Sequence, residues 1–182
     1  MNNTHTNEPT RAVPLNEPDW RAVWTRRLDI FVPGIPAPQG SKRHVGGGRM
    51  IESSKKLKPW RRTVAEVATT MWRGQPIIRD VALLVRIVFT MPRPVSLPKT
   101  KPTPPAIKRP DQEKLERAVL DALTYNPTTG QGVFADDSAF VRSITDKEIA
   151  LLGEQPGALI TVATFDRAVR VDDWAADEWW LR

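Results

Sequence analysis

The sequence predicts an α/β (α+β) fold: a single domain built on a mixed β-sheet, with helices packed on one face. Three observations carry this. Runs of apolar and β-branched residues recur at 28–32, 81–90, 139–148 and 157–165 and read as strands. Two longer segments, one from Ser53 or Ser54 to Trp72 and one opening at Asp111, place apolar residues at helical spacing. The resulting order of strand, hairpin, helix, strand, helix, strand, strand shows no internal repeat, and 182 residues make one domain by length.

Residues 1–27 are polar, rich in Asn, Thr and Pro, and are expected to form a mobile arm, with Trp20 and Trp24 spaced to dock a short helical turn. The folded domain is assigned to 28–165. Its first strand, Leu28-Asp29-Ile30-Phe31-Val32, alternates and stops at Pro33-Gly34. The segment PAPQGSKRHVGGGRMI follows, and its three consecutive glycines suggest a hairpin tip flanked by Lys42, Arg43, His44 and Arg49. Such a loop suits phosphate contact; the competing reading is a solvated hairpin. The G-K-S/T signature of a nucleotide-binding P-loop is missing, so no nucleotide cofactor is expected.

The first helix takes a serine cap and buries a stripe of Trp60, Val64, Val67, Ala68 and Met71. Pro59 sits in its first turns or marks its true start. Lys55, Lys56, Lys58, Arg61 and Arg62 follow one another without an acid between them, which favours phosphate contact over a merely solvated face. Gly74 and Pro76 end the helix. In the strand Val81–Thr90, Arg86 points to a basic face or pairs locally. The segment MPRPVSLPKTKPTPPAIKRP has too many prolines for a core element. It reads as a stiff basic arm leading toward the acidic stretch, or as an insertion without structure. The last segment, 166–182, is acidic and holds three of the seven tryptophans. We expect it to bury them against the body or a second subunit; an acidic mimic competing for the basic face is the alternative.

Net charge is +6 and the pI about 10.0, which favours a polyanionic partner, nucleic acid or an anionic membrane. No apolar run approaches the roughly 18–20 residues of a membrane span, and no signal-peptide core opens the chain, so a cytoplasmic protein, nucleoid-associated through DNA, is expected. The absence of cysteine excludes disulfides, thiolate zinc sites and cysteine nucleophiles. With His5 and His44 the only histidines, a histidine-rich metal site is excluded too.

Against this basic background, Asp111, Glu113, Asp136 and Asp137 concentrate in one stretch, KRPDQEKLERAVLDALTYNPTTGQGVFADDSAF. Pro110 and Asp111 open a helix, with Asp111 as N-cap and Leu115, Ala118, Val119, Ala122 and Leu123 as the buried stripe. Glu113 and Arg117 stand in a favourable ion-pair order. Residues two apart on a helix diverge by about 200°, so Asp111 shares a site with Glu113 only as a non-helical cap. A loop and a returning strand would bring back Asp136 or Asp137. Three clustered carboxylates raise one another's pKa unless a cation sits among them, and Mg²⁺ takes such oxygen ligands, with Mn²⁺ the alternative.

The run R-P-D-x-E-x-L-x-R-A-x-L-D-A-L-T, then G-V-F-x-D-D-S, resembles the RusA family of Holliday junction resolvases, in which D-x-D-N-x-x-K-A-x-x-D-A-L is followed by a D-D pair. The resemblance implies a small mixed α/β homodimer that cuts branched DNA, the four-way junction, with Mg²⁺. Asp111 and Glu113 match the first two acidic ligands, and Asp137 the third, with Asp136 beside it. Arg117 falls where the family has a functionally important lysine, and Asp121 matches the acid of D-A-L. Glu113 stands for an aspartate and Lys114 for an asparagine. Arginine at 117 keeps the charge but is no proton donor at neutral pH.

The function expected is therefore a metal-dependent endonuclease. Asp111, Glu113 and Asp137 would hold Mg²⁺, Arg117 and Lys114 would stabilise phosphate charge, and Lys42, Arg43, Arg49, Lys55, Lys56, Lys58 and Arg109 would contact the DNA backbone. The rival expectation is a branched-DNA-binding protein that kept the fold and lost turnover, which the Glu113, Lys114 and Arg117 departures support. A single-strand or RNA binder fits less well, because the tryptophans are not interleaved with the basic residues.

Overall fold

The computed structural model describes residues 24–40, 42–44, 50–52 and 55–165. The chain runs β1 (Trp24–Pro33), β2 (Lys42–His44), β3 (Met50–Glu52), α1 (Leu57–Met71), β4 (Ala82–Met91), α2 (Gln112–Leu123), a 3-10 turn (Asp137–Ala139), β5 (Phe140–Ile149) and β6 (Gly157–Phe165). β2 and β3 form a small antiparallel hairpin, Lys42 opposite Glu52. The other four strands make one sheet in the order β1-β6-β4-β5. β6 runs antiparallel to both β1 and β4, whereas β5 runs parallel to β4, so the sheet is mixed as expected.

A parallel pair cannot be joined by a tight turn and needs a crossover. Here α2 supplies it. The proline-rich loop, α2 and the segment leading to β5 thus form one excursion from the sheet, and all four acids of interest lie on it. Alternation along the strands sends Leu28, Ile30, Val32, Val85, Ile87, Phe89, Ile160 and Val162 into the core, where they meet Trp60 and Val64 of α1 and Leu115 and Val119 of α2. On the opposite face Phe31 and Leu159, direct neighbours in register, each keep 44 % exposure. The helices cover one face.

Several expectations are corrected in detail. β1 begins at Trp24, not Leu28: the register slips between Arg26 and Leu28, and this irregularity hides the strand's first residues from a two-residue alternation. Trp24 is therefore extended and not part of a helical turn. α1 begins at Leu57, with Lys56 at its N-cap and no side-chain capping bond, so no serine caps it. Pro59 then sits in the first turn, where a missing N–H costs nothing. The α1 stripe holds for Trp60, Val64 and Ala68, but Met71 is 64 % exposed because the helix end leaves the core. The stripe of α2 is buried throughout.

The proline-rich segment between β4 and α2 is no extended arm over its first half. Arg93 gathers it into a compact loop, donating to Thr103 Oγ1 at 2.6 Å, Lys101 O at 2.7 Å and Pro98 O at 3.1 Å. Arg86 pairs locally, with Asp146 of β5 at 3.8 Å. Residues 1–23, the 166–182 segment and Arg49 lie outside the described residues, and with them most of the expected arm, the tail and part of the glycine hairpin. Among the described residues no helix is long and apolar enough to cross a membrane.

Candidate active site

The start of α2 is fixed by β5. Lys147 Nζ donates to the carbonyls of Pro110 at 2.8 Å and Lys108 at 2.9 Å. Thr145 accepts a hydrogen bond from the Gln112 amide on its carbonyl and donates its hydroxyl to Glu116 at 2.8 Å. Asp111 occupies the N-cap with extended backbone, φ −67° and ψ 139°, as the sequence predicts. Its carboxylate, however, makes no capping bond. It forms an ion pair with Lys114 Nζ at 2.8 Å, one turn along the same helix. The hydrogen bond and charge of Lys114 hold the Asp111 carboxyl below its usual range against an opposing desolvation cost, with Arg109 and Lys147 adding smaller contributions.

Glu113 and Arg117 are both exposed, one turn apart on α2. The ion pair their order suggests is not among those formed by the described residues; solvated at the surface, it is worth too little to hold two long side chains together.

Asp111 and Lys114 line a cleft of about 440 Å³ with Lys56 and Arg109. Its apolar wall comes from Ile35, Pro36, Ala37, Pro38, Met91 and Pro110. Three of the cations expected to contact DNA, taken from α1, the proline loop and α2, thus meet around one acid. Lys55 and Lys58 are exposed at the same end of α1. Lys42 and Arg43 lie in β2, whose side chains are outside the described residues. The remaining arginines of the basic helix are otherwise engaged. Arg61 pairs with Asp121 at 3.4 Å and also donates to its carbonyl, and Arg62 lies 3.7 Å from Glu66.

The Asp121 contact belongs to a clamp that sequence reading missed. Gln39 donates its side-chain amide to the Asp121 carboxylate, accepts from Arg61 at 3.4 Å, and donates its backbone N–H to the Lys114 carbonyl at 2.8 Å. The 34–40 loop is thereby fastened to both helices where it walls the cleft. Asp121 is a structural partner; the sequence shows it only as an acid near the C-terminal end of α2, spaced four and eight residues from Arg117 and Glu113.

The second acidic pair is placed by the loop after α2. Val133 and Phe134 donate their N–H groups to Leu123 O, at 2.8 and 3.2 Å, closing the helix end. Gly132 allows this return: at φ +107° a Cβ would stand 2.5 Å from Thr124 O. Phe134 is fully buried and meets Phe140 edge-on, with ring centres 5.1 Å apart. Between these two anchors the chain exposes Asp136 and Asp137. Asp136 caps the 3-10 turn, accepting from Ser138 N at 2.8 Å, and its bonds from Ser138 hold its pKa down.

The two acidic pairs stand apart. Asp111 is at the N-terminal end of α2, opposite Thr145, while Asp137 follows the loop tied to the C-terminal end. Twelve helical residues span about 18 Å. Asp136 lines a different concavity, with Arg79 and Asp80. In donor chemistry these exposed carboxylates fit a hard divalent cation. In placement, no three acids or histidines gather to hold one among the described residues.

Comparison with known proteins agrees with the sequence motif. No curated protein matches the chain. A family model, Endodeoxyribonuclease RusA, matches residues 32–163. That span runs from the end of β1 through both helices and both acidic pairs to β6, so the chain belongs to the RusA family of endodeoxyribonucleases.

Proposed function

We propose that the protein is a divalent-metal-dependent endonuclease that resolves Holliday junctions by paired, symmetric nicks, acting as a homodimer in recombination and repair. The observation that carries this is the cleft in which Lys56, Arg109 and Lys114 surround Asp111, in a member of an endodeoxyribonuclease family. The three cations bind phosphates by charge and read backbone shape more than bases. Lys42, Arg43, Arg49, Lys55 and Lys58 extend the basic track. Asp111, Glu113 and Asp137, with Asp136 at hand, are the residues that would hold Mg²⁺, or Mn²⁺ in its place. When bound, the ion supplies an activated water and offsets charge on the scissile phosphate. Arg117 and Lys114 stabilise charge on the phosphate oxygens.

Because Asp111 and Asp137 lie toward opposite ends of α2, a two-fold pair of chains provides a way to unite them. Asp111 and Glu113 of one copy would face Asp137 of the other, giving two sites for two cuts.

The test is a four-way DNA junction incubated with the purified protein, with Mg²⁺ and with EDTA. Symmetric nicks that need the metal are expected, as is loss of cutting with retained junction binding in Asp111→Asn and Asp137→Asn. Normal cutting by either variant removes that residue from the ligand set. A second reading, a junction-binding protein without turnover, is favoured by the Lys114–Asp111 pair, which puts an ammonium on a proposed ligand. A junction bound but uncut with and without metal would establish it.

A further inference from the structure

We propose that Lys114 is a built-in counter-cation for Asp111, competing with the divalent ion for the same carboxylate and so weakening metal binding. The inference rests on the reading of Asp111 as a ligand, and it concerns what this chain's own lysine does there.

Asp111 sits at an N-cap yet its carboxylate accepts no hydrogen bond from the helix, so its oxygens answer to Lys114 and not to the backbone. The ammonium is 2.8 Å away, and both side chains stay about half exposed. The lysine is held in place from behind, because its carbonyl accepts from Gln39 N at 2.8 Å while the flexible stem stays free to swing. Both groups line the cleft already walled by Lys56 and Arg109. An incoming divalent ion must therefore displace one positive charge from Asp111 and then sit beside it. An exposed pair of this kind is weak enough to open, so metal is hindered and not excluded.

Mn²⁺ alone, titrated into the full-length protein and followed by the loss of its free-ion paramagnetic resonance signal, tests this without reference to cutting. The series is wild type, Lys114→Gln, Asp111→Asn and the double variant. Lys114→Gln is expected to bind about tenfold more tightly than wild type, and the gain is expected to vanish when Asp111→Asn is added. If Asp111→Asn weakens binding but Lys114→Gln binds no better than wild type, Lys114 is not the competitor and the proposal fails, while Asp111 stands as a ligand. If Asp111→Asn binds like wild type, Asp111 is not a ligand, and the reading beneath the proposal fails.

Discussion

Lys114 stands three residues after Asp111, close enough for its ammonium to take the carboxylate away from the helix end that the acid would ordinarily cap. This contact is the largest influence on the ionisation of Asp111. With its folded-state pKa lowered, Asp111 contributes stability that is present above the ordinary carboxylate pKa and is lost as pH falls through the lowered value. Removing the ammonium gives a clear expectation. In Lys114→Gln the Asp111 titration should move upward toward the ordinary 3.8, because both the hydrogen bond and the charge that lower it most come from Lys114. Carboxyl-carbon NMR titration of the two proteins measures this directly, and an unmoved midpoint would mean that the ion pair is not populated in solution. Asp136 provides an internal control: its lowered pKa comes from Ser138, so it should titrate alike in both proteins.

At the level of elements, what could be read in the chain depended on whether a single segment carried its own signal. α2 was legible because its five buried residues repeat at helical spacing, and β6 because Gly157–Phe165 is one unbroken run. The carboxylates were found through local motif spacing. Their separation was not, because it depends on α2 running between them and on Val133 and Phe134 folding back onto Leu123. The Gln39–Arg61–Asp121 clamp was equally invisible, since it joins residues 22 to 82 positions apart through contacts that leave no periodic trace. For the same reason Arg61 read as a free cation on a basic helix, although its charge is already matched. The loop that presents Asp136 and Asp137 depends on one buried ring, Phe134, set between the end of α2 and Phe140 at the start of β5. Phe134→Ala removes that ring from a site with 0 % exposure and should cost about 3–5 kcal/mol in chemical denaturation. A loss below 1 kcal/mol, about what a surface change costs, would show that the acidic loop is anchored in some other way.

At the level of the whole molecule, the placement of charge bears on how DNA is held, and the separation of the acids bears on the proposal that two chains share a site. Charges of +1 from Lys56 and Arg109 face one cleft, so the double variant Lys56→Gln/Arg109→Gln should weaken junction binding and flatten its dependence on salt. Two lost phosphate contacts per chain, four in a homodimer, reduce the slope of log affinity against log salt by about 3.6; an unchanged slope would place the DNA elsewhere. The second consequence is sharper. If Asp111 and Glu113 of one copy meet Asp137 of another, then Asp111→Asn and Asp137→Asn proteins, each inactive alone, should recover cutting when unfolded together and refolded as a mixture. A mixed pair then holds one site in which both changes coincide and one in which neither is present. The intact site nicks a single strand, so the product is a nicked junction and not a resolved one. If each chain instead carries its whole site, every site in every pair keeps one altered ligand and the mixture stays inactive. The expectation rests on the acids' placement at the two ends of α2: if both belong to one site, the crossover helix that keeps them apart within a chain requires a second chain to supply one of them.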